Sequence, residues 1–138
     1  MKSLVSILLI LFTVPVFAVP TTLSIVSTTE TAALFADTAA DTANGNQMRN
    51  NNCDLVLLLR NSHATNSSTV TVAAAASSFT IPGYGVLTKS NASVSLAAGE
   101  HKHIGPLPCV LWNDSNGFVQ VTYSGTGTVL VTPIRVPR

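Results

Sequence analysis

Apolar and polar residues alternate along much of this chain with a period of two, the signature of half-buried β-strands. In residues 118–124, Val119, Val121 and Tyr123 interleave with Gln120 and Thr122. In residues 69–76, Val70, Val72 and Ala74 face one way and threonines the other. Residues 22–27 put Leu23 and Ile25 on one face of a candidate first strand. Residues 93–96, 101–105 and 128–136 give further short strands. The run DLVLLLR at 54–60 is continuously apolar, as expected of a central strand covered on both faces. Turn chemistry separates these segments: Pro82-Gly83-Tyr84-Gly85, Ala98-Gly99, the run Asn113 to Gly117, and Gly125-Thr126-Gly127. Pro106 and Pro108 are expected to interrupt any ladder after residue 105. The polar stretch 28–52, with Asn44-Gly45 and three consecutive asparagines, reads as a loop. No helix is expected after the first eighteen residues. The pattern predicts an all-β chain, a single β-sandwich of Ig-like or jelly-roll-like type with about seven to eight short strands.

The N-terminus has a different character. Lys2 precedes an apolar run from Leu4 to Phe12, and Val16-Phe17-Ala18 ends it with a small residue, the grammar of a cleaved secretory signal over 1–18. The run is short for a bilayer span of about 20 residues, so no stable membrane insertion is expected after cleavage. The remainder divides into an N-terminal strand and polar loop at 19–52 and a sandwich body at 53–138, together one domain. The expected location is extracellular, or on a virion surface.

Charge narrows the possible functions. Of 138 residues, 9% are charged and 46% are hydrophobic, and beyond Lys2 the six basic and six acidic residues cancel. No basic patch is available to displace counterions from phosphates, which argues against a nucleic-acid partner. A nearly neutral surface offers little repulsion to close packing between copies.

Few constellations could carry chemistry. His101 and His103 would share a strand face and could offer two imidazoles to a metal, with His63 or Asp114 as a third ligand, but a polar strand edge explains them as well. Asp37 and Asp41 recur in an Ala-Asp-Thr-Ala repeat without calcium-loop spacing and read as solvated turn residues. No GxSxG elbow or triad pattern is present, so the expectation is a non-enzyme without cofactors. Cys53 and Cys109 are an even pair, which in an exported chain favours a disulfide, two buried thiols being the alternative. Tyr84 and Trp112 are candidate exposed aromatics, although a lone Trp beside a proline-rich turn serves equally as a core plug or an interface anchor. Three Asn-x-Ser sequons, at Asn66, Asn91 and Asn113, matter only in a glycosylating host.

The last third of the chain resembles small bacteriophage virion proteins of the head-decoration or minor structural type. Ala98-Gly99, Ile104-Gly105-Pro106-Leu107-Pro108 and the run NDSNGFVQVTYS at 113–124 carry the resemblance, with Leu57-Leu58-Leu59-Arg60-Asn61 and Thr69-Val70-Thr71-Val72 upstream. It implies a non-enzymatic sandwich that binds a protein lattice. The expected function is therefore a structural subunit that packs on a capsid or filament lattice or forms a homo-oligomer. Tyr84, Leu107, Trp112 and Phe118 are its candidate interface anchors. Two alternatives are a secreted carbohydrate- or surface-binding module and a filament subunit that donates its N-terminal strand to a neighbour.

Overall fold

A computed structural model of the chain describes residues 18–27, 35–75 and 78–136. The signal-peptide expectation thus lies, apart from Ala18, outside the described residues. Twelve strands and one helical turn are described: β1 (Thr21–Thr22), β2 (Val26–Ser27), β3 (Thr38–Ala39), β4 (Asn46–Arg49), β5 (Leu55–Asn61), β6 (Ser68–Val72), β7 (Ser78–Ile81), β8 (Gly85–Thr88), β9 (Ala92–Leu96), β10 (His101–Leu107), α1 (Cys109–Trp112), β11 (Phe118–Gly125) and β12 (Val129–Arg135). One sheet has the order β1-β4-β11-β6-β9; the other has β10-β5-β12-β2, with β3 also on β12. Leu55, Leu57, Leu59, Val129 and Val131 of the second sheet meet Met48, Val70, Val72, Leu96, Val119 and Val121 of the first in one core. The all-β sandwich expected from the periodicity is the fold, built from more and shorter strands than the sequence suggests.

Five local features differ from the pattern expected of the sequence. Residues 22–27 are not one strand: β1 runs parallel to β4, the chain crosses between sheets with Leu23 in the core, and β2 runs parallel to β12. The polar stretch contains β4, whose Asn46 and Met48 are fully buried. An asparagine is tolerated there because its amide is bonded: Asn46 Oδ1 accepts from Asp41 N at 3.1 Å, and Nδ2 donates to Thr21 O at 3.3 Å. The proline segment does not end β10 at residue 105; pairing with β5 resumes at Leu107 after a register shift that contains Pro106. One helical turn, α1, follows Pro108 where none was expected, too short to show a helical period. In β5, alternate residues are buried and half-buried, so one face is fully covered and the other only in part.

Pro133 lies inside β12, a central strand, where a missing N–H should leave a neighbour unpaired. Ser62 N donates to Thr128 O, and Ala40 N to Val129 O, so even-numbered β12 residues bond β5 and odd-numbered ones face away. On that far side β3 pairs with Leu130 and Val131 and β2 with Ile134 and Arg135. Pro133 falls in the gap between them. The segment 35–37 crosses the outer face here: Thr132 Oγ1 donates to Asp37 Oδ1 at 3.0 Å, and Asp37 pairs with Arg60 at 2.9 Å.

Cys53 and Cys109 are disulfide-bonded, with Cα atoms 4.6 Å apart. The bond ties the turn before β5 to the start of α1. Beside it, Asn50 Nδ2 donates to Leu107 O at 2.7 Å, and Asn113 Nδ2 donates to Asn50 O at 2.9 Å.

Candidate functional site

Between β6 and β9 the chain leaves the sandwich. Strands β7 and β8 pair with each other in the register Phe79↔Leu87 and Ile81↔Gly85, and with no strand of either large sheet. Pro82-Gly83-Tyr84 closes the hairpin, with Gly83 at φ 83° and Gly85 at φ 89°, backbone that other residues adopt only with strain. Tyr84 at the tip is 86% exposed and Val86 63% exposed. The base is held at three points. Ala74 N donates to Asn91 Oδ1 at 2.9 Å, Ala75 N donates to Leu111 O at 3.0 Å, and Lys89 Nζ lies 4.3 Å from the Trp112 ring centroid. An exposed aromatic at the tip of a hairpin anchored at its base is suited to insertion into a partner surface.

The other candidate anchors are placed differently. Trp112 is 5% exposed and Leu107 2%, both in the core, so neither forms a surface contact. The structure decides for Trp112 as a core plug, and its ring offers a cation–π face to Lys89 rather than a platform for a sugar. Phe118 is half-buried beneath Arg49, whose guanidinium lies 4.8 Å from the ring centroid. Both line an open groove of about 410 Å³ with Thr22, Ile25 and Arg135.

His101 and His103 are exposed on β10, opposite Arg60 and Leu58. His63 Nδ1 is occupied as acceptor for Thr65 N and Asn66 N. Asp114 is committed to its own turn, accepting from Asn116 N and Phe118 N at 2.9 Å and from Gln120 Nε2 at 2.7 Å. Among the described residues no group of three His, Cys, Asp or Glu side chains is arranged to hold a metal.

The carboxylates perform structural work. Asp41 accepts from Thr21 Oγ1 at 2.7 Å and Asn44 N at 2.9 Å, and these bonds, Thr21 first, lower its pKa to about 2. It stitches β1 to the turn ending at Gly45, where φ is 81° and a Cβ would lie 2.6 Å from Val121 O. At Asp114 desolvation acts to raise the pKa, but the backbone and Gln120 hydrogen bonds outweigh it and the net shift is downward. Burial, with Asp41 adding to it, raises the Tyr123 hydroxyl. Because the folded-state pKa of Asp41 is below its unfolded value, its contribution is complete above about pH 4 and is lost as pH falls toward 2. Thermal melts should therefore show a loss of stability across that window that is smaller in Asp41→Asn. An unchanged acid profile in the variant would remove Asp41 as a cause.

No family model, curated protein or solved structure matches the chain. Arg49 with Phe118 and the Lys89–Trp112 contact are features that periodicity alone does not reveal, because each joins residues distant in sequence.

Proposed function

We propose that this protein is a non-enzymatic structural subunit, virion-surface-like or exported, that docks on a protein lattice or on other copies of itself. The observation that carries the reading is the β7–β8 hairpin, which presents Tyr84 and Val86 to solvent and belongs to neither sandwich sheet. The near-balance of charge, the disulfide, which is compatible with an oxidising location, and the resemblance of residues 98–136 to virion proteins support it. Strand donation has less support: Leu23 is buried in its own core and its N–H donates to Gln47 O at 2.9 Å, so the N-terminal segment is engaged at home. A glycan-binding module has less support with Trp112 inside the core, which leaves Tyr84 as the exposed one of the two candidate aromatics.

Light scattering after size exclusion, negative-stain microscopy and co-sedimentation with particles from the source test the reading. An oligomer, filament or co-sedimenting subunit is expected, with Tyr84→Ser weakening lattice association about tenfold or more, as loss of a central aromatic anchor does. A strict monomer that associates with no assembly overturns it.

A further inference from the structure

The edges of the two sheets differ in how they are guarded. Strands β1, β2 and β3 have two residues each. The edge strand β10 carries Lys102 and Pro106 and an irregular register, devices that discourage pairing. The edge strand β9, Ala92-Ser93-Val94-Ser95-Leu96, contains no proline, glycine or charge. Ala73 N donates to Gln120 O, which makes Ala73 and Gln120 a hydrogen-bonded pair and turns the odd residues of β6 toward β11. The even residues of β6 therefore bond Ala92, Val94 and Leu96. The backbone groups of Ser93 and Ser95 consequently point out of the sheet edge. One of them has a partner: Lys102 Nζ donates to Ser95 O at 2.8 Å while pairing with Glu100 at 2.9 Å.

We propose that β9 is a homotypic docking edge, pairing antiparallel with β9 of a second copy, and that Lys102 guards it by occupying the Ser95 carbonyl. A second copy is the occupant because the strand has the same polar and apolar pattern read in either direction about Val94. A two-fold axis there sets Ser93 opposite Ser95 of the other copy twice, and those are the residues with outward-facing backbone groups. The half-buried Val94 residues meet each other, Ala92 meets Leu96, and no like charges oppose. The product is one continuous ten-stranded sheet.

This deepens the subunit reading and rests on it. Lys102→Ala should shift the dimer midpoint to about tenfold lower protein concentration in light scattering, because two charge-assisted bonds no longer have to break. Adding Ser93→Pro should return the protein to monomer, since that N–H faces away from β6 and its loss leaves the fold intact. Ser95→Glu, which sets two like charges diagonally across the seam without touching the backbone, should do the same. Amide exchange at Ser93 and Ser95 should slow on dimerisation. A Lys102→Ala protein that stays monomeric, or a dimer that survives both edge variants, overturns the proposal. If Tyr84-dependent lattice association persists in either case, the docking edge falls while the subunit reading stands.

Discussion

Replacing both cysteines, C53A/C109A, is expected to lower the free energy of unfolding by about 4 kcal/mol. The two residues are 56 apart, and closing a loop of that length removes unfolded-state entropy of this size in the chain-entropy model. For a domain of roughly this size the loss corresponds to a fall in Tm of about 15 °C. Chemical denaturation of the oxidised and reduced wild type should give the same difference. The effect should not be spread evenly. Cys109 begins α1, whose Leu111 carbonyl accepts from Ala75 and whose Trp112 lies under Lys89, so the base of the β7–β8 hairpin should loosen first. Amide exchange at Ala75 reports that directly. Equal stability of both redox forms would mean that the Asn50–Asn113 bonds, not the disulfide, hold this end together.

Asn61→Ala should be similarly damaging, at about 3–5 kcal/mol, although it removes no apolar contact of consequence. Asn61 is fully buried at the end of β5. Its Nδ2 donates to the carbonyls of Asn66 at 2.7 Å, Leu96 at 3.2 Å and Ala97 at 3.1 Å, while Oδ1 accepts from His63 N and Thr128 N, both at 3.1 Å. One side chain thus fastens three connections at this end of the sandwich: β5–β6, β9–β10 and β11–β12. Truncation leaves several polar groups around a buried side chain without partners, each costing about 1–3 kcal/mol unless water enters. Asn61→Asp keeps the acceptor but sets a carboxylate against carbonyl oxygens, and should be no milder. Urea titration at constant m-value decides the matter. A loss below 1 kcal/mol would show that water replaces the amide.

Legibility followed how much of each element's stability is local. Strands β6 and β11 were readable because an apolar face repeats every second residue, and β5 because its apolar run is unbroken over five positions. Strand β4 was not, since an asparagine sits where an apolar residue belongs, and only distant partners such as Thr21 and Asp41 make Asn46 acceptable inside. The split of 22–27 into β1 and β2 was hidden for the opposite reason: alternation continues unbroken through a segment that changes sheets. Of the candidate anchors, Tyr84 could be placed at a turn from its Pro-Gly-Tyr-Gly setting. Whether Leu107 and Trp112 faced in or out depended on α1 and the disulfide, which sequence period does not encode. The guarded edge of β9 was equally invisible, because it follows from which neighbours a strand lacks.

Strand β12, last in chain order among the described strands, is flanked by β5 on one side and by β2 and β3 on the other. During synthesis, the second sheet therefore has a hole in its middle until residue 135 has emerged. Until then Leu57, Leu59 and the N-terminal segment have no central partner to close over, and pairings with such long sequence separation form slowly. The chain is in consequence expected to acquire its structure in one late step, once β12 can take its place between β5 and the N-terminal strands.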